Sequence, residues 1–504
     1  MAITFQDEIL PSSCKLIGYS WLIYSFNLEL PLRQLCCVNK KRLASQTIKN
    51  GRWLMFDAQL MVEDLHYTHL EFAIKHEHLD LLVLKKILEV FPKERLLENI
   101  KNNPKRILSK KIWFLYEFLL KRELPLEDLP AGKYDDILNK EKYFVNDNFT
   151  KSKRHKINNN LLGTGEFCPI IKRTKKLQNY LELNLNNEIS NLIGNVSKIL
   201  VRRAASFLLL SDSKASFEIE GEMPPKNRIE NWGKIINEAG KTSLSTDEIQ
   251  RLHAILLEDS RFTKIGLRDT EVFLGDRHRD NYPIPEFIGA NSRDLTSLMN
   301  DWIELDSKLT NSGLDPILHA VVIAFSFVYI HPLEDGNGRI HRYLLHHVLA
   351  QRSFYPKGMI FPISSVILDE IEKYRDILVA HTEPLMNLID WESTETGNVK
   401  ILNNTDDLYR YFDSTQSCEF IYECVEKTIK ETLPDELKYL KSFDKSYHEI
   451  NEVIEMPDTK IKSLITFILQ NNNKLSKKKK EKYFLQLTVE EIKIVEKIIG
   501  EHFS

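Results

Sequence analysis

The sequence reads Tyr329-Ile330-His331-Pro332-Leu333-Glu334-Asp335-Gly336-Asn337-Gly338-Arg339-Ile340-His341-Arg342 between two apolar runs. The first run covers 317–330 and the second covers 342–351. Continuous apolar character and apolar residues at helical spacing predict two buried helices. Asp315-Pro316 suits the start of the first helix, because Asp caps a helix N-terminus and Pro fits its first turn. The stretch therefore predicts a tight polar loop between two buried helices.

The loop carries the residue types of an anion-binding site. Gly336 and Gly338 lack Cβ atoms, so the backbone can turn tightly and approach a ligand closely. Backbone N–H groups beside a helix N-terminus form a cradle for an anion. Arg339 and Arg342 lie on one side of the first helical turn, where cations oppose the helix dipole and need a compensating anion. A polyphosphate would supply that anion.

Two further side chains predict catalysis at the loop. Asp335 offers a hard oxygen ligand that suits Mg²⁺ bound to phosphates. His331 lies at the end of the first helix and can act as a base near neutral pH. The alternative is an ordinary glycine-rich turn between core helices. A lone Gly-Asn-Gly would favour that alternative, but the full set of polar and charged residue types in this loop argues against it.

The residues from His331 to Arg342 resemble the signature of the Fic family, HPFx(D/E)GNGRxxR, with Leu333 in place of Phe. The usual Fic reaction transfers AMP from ATP to a Ser, Thr or Tyr hydroxyl of a target protein. The resemblance implies a mainly α fold: a Fic-type helical core with a small β-hairpin flap, plus N-terminal and C-terminal accessory domains. It also implies a nucleotidyltransferase that uses ATP as co-substrate with Mg²⁺.

The resemblance assigns roles to individual residues. His331 is the catalytic base and Asp335 holds the metal. Tyr374 occupies the position where many family members place an aromatic residue near the base, although a core role is equally expected from burial preferences. The residues implied to bind nucleotide are Glu334, Asp335, Gly336, Asn337, Gly338, Arg339, Arg342 and Tyr374.

A second family motif, (S/T)xxxE(G/N), is matched upstream of the loop by Ser216, Glu220 and Gly221. In the family this glutamate pairs with the second arginine of the signature, here Arg342, which otherwise holds the γ-phosphate of ATP. A carboxylate in the guanidinium fork would compete with that phosphate. We therefore expect self-inhibition by Glu220.

The segment from Ile265 to Pro285 resembles the Fic flap, a β-hairpin beside the active site. Its target-binding residues would be Val272, Phe273, Leu274 and Gly275, with 276–281 as the turn and 282–285 ending the hairpin. In the family, the flap holds a target segment by strand-like pairing.

Composition excludes some classes of function. The net charge of −3 gives no global field for nucleic acid or an acidic membrane. Six cysteines lie without CxxC spacing, which argues against a zinc site and fits a reducing cytosol. The N-terminus lacks the pattern of a signal peptide, and the apolar run 317–330 is too short to span a bilayer. We expect a cytoplasmic protein.

The pattern along the chain predicts five parts. Helical periodicity is clearest over 77–90, 110–121 and 181–210, whereas 146–160 is polar and predicts a linker or exposed loop. The predicted parts are an accessory domain at 1–150, a linker at 151–184, a helical segment with the inhibitory motif at 185–245, the Fic catalytic core at 246–395, and a helical C-terminal domain at 405–504.

Several alternatives stay open. Gly338 argues against phosphate transfer, because relatives with that activity carry Lys there, but transfer of another nucleotide-derived group is compatible with the loop. A bifunctional enzyme that also removes AMP is a further alternative. A non-enzymatic nucleotide-sensing interaction protein belongs to a different class. The partner is expected to be a protein with an accessible hydroxyl; nucleic acid at the terminal domains and oligomerisation stay open, and no membrane partner is expected.

Overall fold

The computed structural model describes residues 3–257 and 261–503. The outer ends of the predicted parts 1–150 and 405–504, and three residues inside 246–395, lie outside these ranges. The described part is mainly helical and contains five small sheets, which confirms the predicted fold class. No helix in the described ranges combines the length and apolar character needed to cross a bilayer.

The N-terminal part contains five helices and a four-stranded sheet in the described residues. The strand order is β3-β4-β6-β5, with β4 and β6 parallel and the other pairs antiparallel. Helices appear where the periodicity predicts them near 77–90 and 110–121. The elements are β1 Thr4–Phe5, β2 Glu8–Ile9, β3 Cys14–Leu16, α1 Gly18–Phe26, β4 Leu35–Asn39, β5 Thr47–Asn50, β6 Trp53–Phe56, α2 His66–His76, α3 Leu81–Val90, α4 Lys93–Asn102 and α5 Ile107–Leu120.

The prediction of an exposed loop over 146–160 is wrong. The segment contributes β8 Thr150–Ser152 and β9 Ile157–Asn159 to a three-stranded sheet with β7 Asp135–Asp136. The carboxylate of Glu117, on α5, pairs with both Arg154 and His155 at 3.0 Å. This buried acid draws the basic residues inward, because a paired charge is far cheaper to bury than an isolated one.

The helical region predicted over 181–210 is broken into three helices. Asn184 has a left-handed backbone with φ 51°, which ends one helix before the next begins. Ser197 caps the third helix, since its hydroxyl accepts from the Leu200 N–H at 3.3 Å. The helices are α6 Lys175–Glu182, α7 Leu185–Gly194 and α8 Lys198–Glu218, followed by α9 Lys226–Ile236.

The predicted core is built around two buried helices, α12 Pro316–Ile330 and α13 Asn337–Gln351. Asp315 caps α12 by accepting from the N–H groups of Ile317 and Leu318 at 2.9 and 3.2 Å, as its position in the sequence predicts. These helices fix both ends of the polar loop. The surrounding elements are α10 Thr246–Leu257, β10 Phe273–Arg277, β11 Pro283–Ile288, α11 Leu295–Thr310, α14 Ile363–Asp369 and α15 Ile371–Met386.

The C-terminal part contains a second, smaller hydrophobic cluster. α18 contributes Leu440 to the main cluster and Ile450 to the second one. A π-helical segment, Thr428–Thr432, leads from α17 into α18. The elements are β12 Trp391–Ser393, β13 Val399–Ile401, α16 Asp407–Arg410, α17 Thr415–Lys427, α18 Leu433–Val453, α19 Asp458–Leu469, α20 Lys477–Tyr483 and α21 Val489–His502.

Candidate active site

The polar loop is held in one conformation by Asn337. Its side-chain oxygen accepts from the Leu333 N–H at 3.0 Å, and its amide donates to the Leu333 carbonyl at 2.8 Å. Asn337 is only 2% exposed. In this conformation the Asn337 side chain closes the loop, and a contact between Asn337 and phosphate stays a prediction.

His331 presents a neutral imidazole at the start of the loop. Its Nδ1 lies 3.2 Å from the Val328 carbonyl, which fixes the proton on Nδ1 and leaves Nε2 free to accept. The ring packs edge-on against Phe287 of the flap, with 5.6 Å between centroids. Burial, and after it the nearby Arg268 guanidinium, lower the pKa of His331 to about 4. The imidazole is thus available as a base at neutral pH.

Arg268 contacts the backbone of His331. The sequence pattern did not predict this role. Its Nε donates to the His331 carbonyl at 2.8 Å, and its Nη2 donates to the carbonyl of Ala290. The side chain therefore connects the turn at His331 to the segment that follows the flap. Burial lowers the pKa of Arg268 to about 10, which still leaves it charged at neutral pH.

Arg342 is fully buried and is held by the predicted inhibitory motif. Its Nη2 lies 2.8 Å from Glu220 Oε1. It also donates from Nε to the Ser216 hydroxyl at 3.0 Å and from Nη2 to the Ser216 carbonyl at 2.6 Å. A buried guanidinium without an anion would be costly, so the carboxylate compensates a charge that a phosphate could equally compensate.

The Glu220 carboxylate lies directly over the loop. A Cβ atom at Gly338 would come within 2.0 Å of Glu220 Oε1, so only glycine allows this approach. Burial works against the charged carboxylate, but Arg342, followed by Arg339, holds the pKa of Glu220 below its usual value. The anion position of the loop is occupied by this carboxylate.

Arg339 is also buried and makes two ion pairs. Its Nη2 lies 2.8 Å from Asp335 Oδ1 and its Nη1 lies 2.7 Å from Glu222 Oε1. The guanidinium lies 5.3 Å from the centroid of the Phe217 ring. The contact with Glu222 depends on tertiary structure, and the short motif gave no signal for it.

Glu334 and Asp335 form the outer side of the loop. Glu334 Oε2 accepts from the Lys264 N–H at 2.7 Å, which connects the loop to the segment before the flap. The Asp335 side chain is 51% exposed. Within the described ranges, no group of three or more His, Cys, Asp or Glu side chains could hold a metal ion by itself. One exposed carboxylate next to a phosphate site still fits Mg²⁺, which usually takes one or two carboxylates together with phosphates and water.

The predicted flap is a β-hairpin of β10 and β11, which pair antiparallel. A bulge separates Leu274 from Gly275, whose φ of 138° and close approach to the Ile284 carbonyl favour glycine. Val272 precedes the first strand, and its carbonyl accepts from the Gly289 N–H at 3.0 Å. The expected end of the hairpin at 282–285 is corrected, because the second strand begins at Pro283 and continues to Ile288.

Tyr374 lies in the core close to the Arg342 side chain and is 4% exposed. Its ring packs at 5.9 Å from His341 and 6.4 Å from Phe325, measured between centroids. Burial raises the pKa of Tyr374 to about 12. Of the two roles expected for this residue, the geometry favours the core role.

Comparison with known proteins agrees with this arrangement. Residues 243–349 match the model of the Fic/DOC family. This chain carries a Fic/DOC family domain. The Fic domain spans α10, the flap, α11, α12, the loop and most of α13.

Curated relatives match a limited part of the chain. Protein adenylyltransferase fic-1 of Caenorhabditis elegans is 30% identical over 139 residues, which cover 27% of this chain and 24% of the relative. Protein adenylyltransferase Fic of Nematostella vectensis is 32% identical over 116 residues, covering 23% of this chain and 25% of the relative. The chain thus spans about a quarter of the length of these relatives.

Solved structures of Fic proteins align with larger parts of the chain. A Fic family protein from Desulfovibrio desulfuricans G20 aligns at 17% identity over 53% of this chain and 77% of its own, with a TM-score of 0.39. Fic-1 from C. elegans aligns at 18% identity over 42% of this chain and 66% of its own, with a TM-score of 0.30.

Proposed function

We propose that the protein is an adenylyltransferase that moves AMP from ATP to a Ser, Thr or Tyr hydroxyl of a target protein. One observation carries the proposal: a carboxylate occupies an anion site between two buried arginines and a glycine, next to a neutral histidine. Such a site fits phosphates at the anion position and a hydroxyl at the histidine. The adenylyltransferase names of the curated relatives support the same reaction.

The proposed chemistry uses His331 as general base. Its Nε2 takes the proton of the target hydroxyl, and that oxygen attacks the α-phosphorus of ATP. A new oxygen–phosphorus bond forms while the bond from the α-phosphorus to the oxygen bridging to the β-phosphate breaks. Pyrophosphate leaves with the electron pair of that bond. A base within reach of the nucleophile contributes about 10²- to 10⁴-fold to rate, and positioning supplies much of the rest.

The remaining loop residues bind and neutralise the phosphates. Arg339 and Arg342 supply bidentate donors, and the N–H groups at the start of α13 complete the anion site. When bound, Mg²⁺ held by Asp335 would neutralise phosphate charge and help to orient the leaving group. Glu334 lies at the rim of this site and ties it to the segment before the flap.

We further propose that the enzyme is inhibited by its own Glu220. The carboxylate pairs with Arg342 and lies where a phosphate would approach Gly338, so the γ-phosphate cannot reach the guanidinium. ATP bound without that contact would present its α-phosphate at the wrong angle to the incoming hydroxyl. Displacing the segment that follows α8 would relieve the inhibition.

The flap is the proposed binding element for the target segment. Leu274, Tyr282 and Ile284 are 50%, 51% and 49% exposed there, so the flap offers apolar contacts as well as backbone groups. Pairing through the main chain would select an extended segment with little sequence preference.

We place the reaction in the cytoplasm, because all six cysteines are buried free thiols.

Intact-mass spectrometry tests the reaction. The Glu220→Gly variant is incubated separately with ATP, GTP, UTP and CDP-choline in the presence of Mg²⁺, and its self-modification is measured. We expect an added AMP with ATP alone. The matched control is Glu220→Gly/His331→Asn, which should stay unmodified; Asn is chosen because it tolerates the left-handed backbone of residue 331. An adduct derived from another nucleotide, or from phosphate alone, would contradict the proposal.

A further inference from the structure

Glu222 follows directly after the motif residue Gly221, and its carboxylate contacts two arginines. Its Oε1 lies 2.7 Å from Arg339 Nη1, and its Oε2 lies 3.0 Å from Arg228 Nη1. Arg339 is the first arginine of the loop signature and Arg228 lies on α9. Two carboxylates from one short segment thus hold both loop arginines, Glu220 on Arg342 and Glu222 on Arg339.

Phe217 strengthens this arrangement. Its ring is fully buried, and its centroid lies 5.0 Å from the Arg228 guanidinium and 5.3 Å from that of Arg339. Cations over an aromatic face are attracted by its negative electrostatic potential. The ring keeps both arginines close enough together for one carboxylate to reach them.

We propose that Glu222 is a second competitor for nucleotide phosphate, acting on Arg339 while Glu220 acts on Arg342. The inference rests on the proposed function in that it requires a nucleotide to bind at the loop. The two carboxylates stand in for two phosphate groups of one polyphosphate. Full access to the loop then requires both ion pairs to open.

The exposure of the three groups favours competition over a purely structural contact. The side chain of Arg339 is 1% exposed and its Nη1 lies 2.7 Å from Glu222, so a phosphate that approaches Nη1 would compete with this carboxylate. The side chain of Glu222 is 32% exposed and can move away. Arg228 then remains as its partner, so release leaves no carboxylate unpaired. Asp335 keeps the other nitrogen of Arg339 in place throughout.

The test is a calorimetric titration with α,β-methylene-ATP and Mg²⁺, an analogue whose α–β bond cannot be cleaved to release AMP. Glu222→Gln keeps the shape of the side chain and removes its charge. We expect about fivefold tighter binding than wild type, the size expected for one partly exposed ion pair. Glu218→Gln is the matched control: Glu218 pairs with Lys214 at 2.9 Å on the outer face of α8, and its loss should leave the affinity unchanged.

A second variant predicts the opposite sign. Arg228→Gln removes the competing partner of Glu222, so the carboxylate should hold Arg339 more tightly and the analogue should bind more weakly. Circular dichroism spectra that match the wild type show that each variant folds. Unchanged or weaker binding by Glu222→Gln would overturn the inference while leaving the proposed function intact if Glu220→Gly still gains affinity. Failure of all variants to bind the analogue would overturn both.

Discussion

His331 combines an unusual backbone with an unusual protonation equilibrium. Its φ of 55° and ψ of 58° place it in the left-handed region at the end of α12, where a side chain with a Cβ is disfavoured. The turn is retained because Arg268 binds the His331 carbonyl and Asn337 closes the loop beyond it. The same burial that fixes the ring keeps the imidazole neutral.

This protonation equilibrium predicts the pH dependence of transfer. Burial lowers the pKa of His331 to about 4, so the base form persists well below the usual histidine range. We expect kcat/KM for self-modification of Glu220→Gly to stay flat from about pH 8 to about pH 5, and to fall only as the pH approaches the lowered pKa. An inflection of the pH–rate profile near pH 6.5, in protein that stays folded, would contradict this prediction, because it would mean that the pKa of His331 is not lowered.

Asn337 should matter for the stability of the loop more than for phosphate contact. Asn337→Ala removes two hydrogen bonds and leaves the buried Leu333 N–H unsatisfied, at a cost of about 2–4 kcal/mol. Urea unfolding followed by tryptophan fluorescence measures this loss. Asn195→Ala, at an exposed position, is the control and should change stability little. Wild-type stability together with weakened nucleotide binding in Asn337→Ala would favour the phosphate role.

At the scale of elements, sequence predicts what depends on local chemistry. The two buried helices and the cap at Asp315 follow from apolar runs and capping residues, whereas the flap hairpin is expected from the family resemblance. The ion pairs of Glu222 with Arg339 and of Glu117 with Arg154 could not be predicted, because these partners are distant in sequence. The contact of Asn337 with the backbone of Leu333 could not be predicted either, because a sequence motif does not show which backbone group a side chain binds.

A second hairpin, β12 and β13, braces the flap. The Asn398 side chain donates to the Glu271 carbonyl at 2.8 Å, just before the first flap strand. At the other end of that strand, the Arg277 side chain donates to the Gly397 carbonyl, and the Asn281 amide donates to the Thr396 carbonyl at 3.2 Å. The turn of the second hairpin thus contacts both ends of the flap strand.

Loss of this brace should loosen the flap. Asn398→Asp keeps the acceptor oxygen but removes the donor to Glu271, so we expect faster hydrogen–deuterium exchange over residues 271–288. The control is Glu395→Ala, an exposed change on the same turn. Exchange that is equal in both variants and in the wild type would mean that the flap is held by other contacts.

At the scale of the whole molecule, the site joins segments that are far apart in the chain. Glu220 and Arg342 meet across a sequence separation that spans nearly the whole Fic domain. The main hydrophobic cluster extends from Phe5 to Leu440, so the N-terminal part packs on the same core as the site. The second cluster belongs to the last helices and reaches the rest of the molecule through α18.

This organisation predicts that damage to the second cluster stays local. Leu464 is fully buried in α19, and Leu464→Ala should cost about 2–5 kcal/mol. Hydrogen–deuterium exchange should then rise in α19 and α21, while the affinity for α,β-methylene-ATP is unchanged. Leu485→Ala, at a residue 71% exposed, is the control. A parallel loss of nucleotide affinity in Leu464→Ala would show that the C-terminal part supports the site.

In the proposed mechanism the pair Glu220–Arg342 restrains AMP transfer, and a comparison of transfer rates tests this restraint. Self-modification with α-³²P-ATP is measured for wild type, Glu220→Gly, Arg342→Ala and the double variant, and release of AMP from pre-modified protein is measured in parallel. We expect a gain in transfer for Glu220→Gly that disappears in the double variant, because the two residues are directly coupled. Transfer unchanged by Glu220→Gly would contradict it. A variant that instead loses AMP release would show that Glu220 serves the reverse reaction.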